Sequence, residues 1–142
     1  MRNIILPLVL STLLILNSCD WLGKEGTVRV GNNMELYALE YIENHEILYP
    51  DEKILAYYDY TISLDGTKAA ILTDTRLIYH NQETTTTYFS LEEITKIDHY
   101  EKSLEGLFIE AWKGDELLII EIAPWQGGDI FLKLLKKKIH NK

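Results

Sequence analysis

Between Lys53 and Ala123 the chain divides into seven short segments of strand-forming residues, each closed by a turn signal, and that spacing admits few folds. The segments are Lys53–Ile62, Lys68–Thr73, Arg76–Asn81, Thr84–Phe89, Ile94–Tyr100, Leu107–Lys113 and Glu116–Ala123. Turn residues separate them at Leu64-Asp65-Gly66-Thr67, Asp74-Thr75, Asn81-Gln82, Ser103 to Gly106 and Gly114-Asp115. In the first segment Ile54, Ala56, Tyr58, Tyr60 and Ile62 alternate with more polar positions, the pattern of a half-buried strand. Ser90-Leu91-Glu92-Glu93 has capping-box order and predicts one helical turn between two strands. Pro124 to Gly128 ends the sheet, Asp129 is an N-cap candidate, and Ile130, Phe131, Leu134, Leu135 and Ile139 recur at helical spacing through His140. The predicted class is mostly β: a seven-stranded antiparallel barrel or sandwich over residues 50–142, capped by a C-terminal helix.

Upstream the chain changes character three times. Residues 34–49 carry Leu36, Leu39, Tyr41, Ile42 and Ile47 at partly helical spacing, which predicts a helix from Met34 to Leu48, stopped by Tyr49-Pro50. Residues 19–33 are Gly-rich and read as a tether, with one short strand at Thr27 to Val30. Residues 1–18 begin Met-Arg-Asn and then run from Ile4 to Leu16 without a charge. That run is short for a membrane span, which needs roughly 20 residues, and fits a signal peptide.

The junction Leu16-Asn17-Ser18-Cys19 resembles the bacterial lipobox, with Asn17 a less usual residue at its position. The resemblance implies a diacylglyceryl group on the thiol of Cys19, cleavage before that residue, and acylation of the new amino group, palmitate being a typical chain. Two or more acyl chains hold a protein on a bilayer where one does not. It further implies a lipoprotein on the extracytoplasmic face of a bacterial membrane, inner or outer. Cys19 is the sole cysteine, so the domain is expected to fold without an internal disulfide.

The 22 acidic side chains exceed the 14 Lys and Arg, giving a formal net charge of −8, and loss of Arg2 with the leader adds one more negative unit. Such a balance repels nucleic acid and anionic headgroups at long range and suits a cationic partner.

The order of elements resembles the bacterial PH and GRAM-type PH-like domains. The likeness is carried by DEKILAYYDYTI, AAILTDTRLIYHN, TTYFSLEEITKID, GLFIEAWKGDELLIIEIA and GGDIFLKLLKKKI. It implies two near-orthogonal antiparallel sheets with the last helix closing one open end, and transfers architecture better than activity. Lys68 and Arg76 have the outline of the basic pattern that phosphoinositide-binding members carry, but position 78 is Ile and the hairpin holds Asp65, so the resemblance stops short of headgroup binding.

No familiar catalytic or nucleotide motif occurs, and His45, His80, His99 and His140 lie at no ligand spacing, so neither enzyme nor metal nor cofactor is expected. Two features suit contact with a protein or peptide. Tyr57, Tyr79 and Tyr88 cluster in the predicted sheet, beside a Thr84–Thr87 run able to form an open edge; Lys133, Lys136 and Lys137 share one side of the last helix. The expected function is a membrane-anchored, non-catalytic module that binds protein or peptide partners in the cell envelope. The alternative is an immunity-type lipoprotein that inhibits a cationic toxin or hydrolase.

Overall fold

The computed structural model describes residues 27–140. The leader, Cys19 and Trp21 lie outside them. Eight strands and two helices are present among the described residues: β1 (Arg29–Val30), α1 (Leu36–Asn44), β2 (Ile54–Asp59), β3 (Lys68–Thr73), β4 (Arg76–Asn81), β5 (Thr87–Ser90), β6 (Lys96–Lys102), β7 (Gly106–Lys113), β8 (Glu116–Ile122) and α2 (Gly128–His140). All ladders are antiparallel, in a five-stranded sheet of order β1-β2-β3-β4-β5 and a three-stranded sheet of order β6-β7-β8. The expected class therefore holds in its sandwich form: mostly β, two sheets and a terminal helix.

The two sheets and α2 enclose the main core, which includes Ala56, Ala70, Leu72, Leu77, Ile109, Ile120, Phe131 and Leu135. A second core lies on the opposite face of the five-stranded sheet. There α1 brings Ala38 and Ile42 onto Tyr57, Ala69, Ile71 and Ile78. β2 is thus buried on both faces, not one as its alternation predicted, and β3 with it. A sheet covered twice reads as a nearly continuous apolar run, as in Ala69-Ala70-Ile71-Leu72.

α1 is shorter than predicted and turns another face inward. It ends at Asn44 rather than near Leu48 because Glu46 adopts φ +49. The Ile47 N–H then reaches the Ile42 carbonyl at 3.1 Å and the Glu46 N–H reaches that of Glu43 at 3.1 Å, a Schellman closure formed before Pro50. Leu36 and Leu39 are exposed while Ala38 is buried, because the helix lies close against the sheet where a small side chain fits.

β5 starts three residues late. Asn81 accepts the Glu83 N–H through Oδ1 at 3.1 Å, and the Thr84 N–H reaches the Asn81 carbonyl at 3.2 Å, so a local turn outcompetes the strand propensity of the threonines. Ser90 to Glu93 forms a turn closed by the Glu93 N–H on the Ser90 carbonyl at 3.0 Å. The short strand expected at Thr27 to Val30 is present as β1, paired to Ala56 and Tyr57 of β2.

Asp59, buried at the end of β2, ties α1 to the sheet. Its carboxylate accepts the hydroxyls of Tyr37 (3.1 Å), Tyr57 (3.3 Å) and Thr61 (2.5 Å) and the N–H groups of Thr61 (2.7 Å) and Gly66 (2.9 Å). Burial, followed by the Asp59 charge, pushes the Tyr37 and Tyr57 phenols well above their usual range, so both stay donors at any ordinary pH. In Asp59→Asn one acceptor oxygen becomes an amide donor facing donors. Stability should fall by about 2 kcal/mol, read as the denaturant midpoint, with early loss of exchange protection in α1.

Candidate functional site

The surface best placed to receive a partner runs across one end of the five-stranded sheet. β5 is its outermost strand, hydrogen-bonded to β4 on one side only, and residues 82–88 are exposed. An edge of this kind offers unpaired backbone groups to an incoming strand.

Beside the edge, Tyr88 stands 44% exposed, and its hydroxyl accepts that of Tyr49 at 3.0 Å. The two rings meet edge to face and lie over the guanidinium of Arg76, whose carbon is 3.7 Å from the Tyr49 centroid and 4.7 Å from that of Tyr88. Arg76 is buried in the strand. Its Nε donates to Glu52 Oε1 at 2.9 Å and its Nη2 to Glu52 Oε2 at 2.5 Å and to the Ile47 carbonyl at 3.0 Å. Glu52, with 2% of its side chain exposed, also accepts the hydroxyls of Thr73 (2.6 Å) and Thr75 (2.8 Å) and the Tyr49 N–H (2.9 Å). Burial alone would raise the Glu52 carboxyl; the hydrogen bonds from Arg76, Thr73, Tyr49 and Thr75 outweigh it and bring it down to about 2. This clasp fixes the loop after α1 against β4 and presents Tyr49 and Tyr88 at the rim of a cavity of about 460 Å³.

Asp74, Thr75 and Ser90 line that cavity and also a groove of about 690 Å³, whose far wall is Leu134, Lys137 and Lys138 of α2. Glu92 lines it too, so its charge is mixed. The β5 edge, the tyrosine pair and the α2 groove form one continuous strip.

The sequence-based candidates distribute unevenly over this strip. Tyr57 is a correction: it is 2% exposed, held under α1 by the second core, and offers no contact surface. Tyr79 is half-buried, packs edge to face on Tyr60 with centroids 5.7 Å apart, and points to the opposite sheet face from Tyr88. Lys137 borders the groove and Lys133 is exposed. Lys136 instead sits 3.4 Å from His99 Nδ1. His80 is buried between the Tyr41 hydroxyl (3.1 Å) and Thr86 Oγ1 (2.7 Å), and burial, with the His45 charge adding to it, lowers its pKa. Among the described residues no group of three or more His, Cys, Asp or Glu is placed to hold a metal, and no helix is long and apolar enough to cross a membrane. Sequence reasoning missed Tyr49, Glu52 and Leu134. A weak signal existed for Glu52: Arg76 opens an apolar strand segment, and an arginine buried there needs an acidic partner.

Residues 48–137 match the family described as Bacterial PH domain. The chain belongs to that family. Among solved structures, this PH domain is similar to a DUF1696 family protein with a pleckstrin-homology domain from Shewanella loihica PV-4, at 15% identity and a TM-score of 0.52, covering 74% of this chain and 99% of that one. A pleckstrin homology domain from Shewanella amazonensis SB2B aligns at 14% identity and a TM-score of 0.47, covering 72% of this chain and 97% of that one. No curated protein matches the sequence. In this PH domain Arg76, the second residue of the partial basic pattern, is committed to Glu52.

Proposed function

We propose that this PH domain is a non-catalytic binding module, held through acylated Cys19 on the extracytoplasmic face of a bacterial membrane, that takes a protein or peptide partner along the β5 edge. The observation that carries the reading is the one-sided pairing of β5 beside exposed Tyr88 and the two adjoining cavities. An added strand would gain backbone hydrogen bonds from β5 and side-chain contacts from Tyr88, Tyr49 and the groove formed with Leu134. The lipobox-like junction before Cys19 supports the anchor. The net charge of −8 supports, as a second reading, an immunity-type lipoprotein that occludes a cationic toxin or hydrolase.

A photo-crosslinking amino acid at Thr85 or Thr87 of the full chain, in cells, should trap one partner that the same probe at Glu121, on the other sheet, does not. Tyr88→Ala should weaken that capture by about tenfold. Equal labelling from all three positions would end the edge reading, and a trapped secreted toxin or cell-wall hydrolase would favour immunity.

A further inference from the structure

Two large apolar side chains stand almost wholly in solvent on neighbouring turns: Trp125 at 94% exposure, after β8, and Leu104 at 89%, in the β6–β7 hairpin. Both have left-handed backbones, φ +61 for Trp125 and +68 for Leu104. Glycine or asparagine would hold either turn with less strain and no exposed apolar surface. Folding therefore gives no reason for these residue types, and strain combined with exposure points to use. The two flank a single cavity of about 690 Å³.

The chain enters the domain at this same place. The Val28 N–H donates to the Gln126 carbonyl at 2.8 Å, and a Cβ on Gly127 would lie 3.1 Å from that of Val28. Cys19 is eight residues before Thr27, a tether of at most ~30 Å. A domain of this size is about as wide. An anchor on a leash no longer than the domain is wide favours orientations with the Trp125 end toward the lipid. The charged residues at the cavity, Glu101, Lys102 and Asp129, sum to one negative charge, which suits zwitterionic rather than anionic headgroups.

We propose that Trp125 and Leu104 seat in the headgroup region of a zwitterionic bilayer and set the domain upright on its tether-entry end. Tryptophan favours that depth, with its ring in the apolar boundary and its N–H toward water. The inference rests on the anchor reading above.

The full chain carrying Trp21→Phe is reconstituted into phosphatidylcholine vesicles with or without bromine on the acyl chains. Trp112, half-buried on β7, serves as the internal reference. Brominated lipid should quench most of the Trp125 emission while aqueous iodide does not, and Trp125→Ser should abolish that quenching; Leu104→Ser should reduce it. Emission that bromine leaves untouched and iodide quenches would overturn the proposal. So would shielding that follows protein-to-lipid ratio with crosslinking through residue 125, which would assign the patch to a second copy. The intact mass of the same sample reads the anchor separately. A chain retaining its leader and lacking acyl groups sinks the lipoprotein reading, while bromine quenching of Trp125 in the vesicle-bound fraction still decides where that residue sits.

Discussion

Glu52→Gln should lower stability by about 3 kcal/mol, a thermal midpoint shift on the order of 10 °C, because it leaves the buried Arg76 guanidinium without its counter-charge. The size follows from geometry. Both charged side chains are nearly sealed from water, at 6% and 2% exposure, so water cannot replace the lost carboxylate. Tyr49 and Tyr88 should loosen with it, since their rings stack on that guanidinium. Replacing both charges, as Glu52→Met with Arg76→Met, should recover much of the loss, since an apolar pair needs no partner. The pH dependence has a definite sign. The folded carboxyl sits near 2, below its ordinary value of 4.5. Its contribution is thus fully present above the unfolded value and is lost as pH falls from there through about 2. Acid titration of the unfolding midpoint in wild type and Glu52→Gln should show the two curves converging toward pH 2; parallel curves would refute the coupling.

Gly106→Ala should destabilise the fold by about 3 kcal/mol or more. Gly106 opens β7 at φ +119, a region essentially closed to side chains, and a Cβ there would lie 2.1 Å from the Ile122 carbonyl oxygen and 3.0 Å from the Ala123 Cα. The obstructing atoms are backbone at the end of the next strand, β8, so no rotamer relieves the clash. Either the β6–β7 hairpin withdraws from the end of β8 or the β8–α2 corner opens. Gly114→Ala supplies the contrast, since its φ of +60 is left-handed but nothing lies within 4 Å of the added methyl. It should cost about 1 kcal/mol. Equal midpoints for the two variants in denaturant would show that contact across β7 and β8 is not what requires glycine at 106.

Local signals located most of the sheet. β3 and β4 occupy the predicted Lys68–Thr73 and Arg76–Asn81, because each is a compact apolar run bounded by a turn with its own side-chain chemistry. The predicted C-terminal helix is α2, set by the periodicity from Ile130 to Ile139. What escaped was tertiary. Tyr57 reads identically in sequence whether α1 covers it or solvent does, and the face of α1 that covers it is marked by Ala38 and Ile42, with Tyr37 beside them, rather than by the larger Leu36 and Leu39. Glu52 and Arg76 are separated by an entire hairpin, and single-chain patterning carries no record of charges that meet only after β2 and β3 have paired. Of the candidate strip, Thr87, Tyr88 and Lys137 were legible, while the earlier threonines fell in the turn segment ahead of β5; the tyrosine pair and the groove needed three dimensions.

α2 links the two ends of the molecule. Gly128, at its start, packs on Leu107 and Ile122 one residue beyond the Val28 contact, while Lys137, near its finish, walls the groove beside Asp74. Its 13 residues measure about 20 Å along the axis. The helix is therefore a built-in standoff: the groove at Lys137 is set a fixed span from the point where the polypeptide departs toward Cys19, so in the proposed arrangement anything bound there would be held at a distance written into secondary structure and indifferent to the slack of the leash.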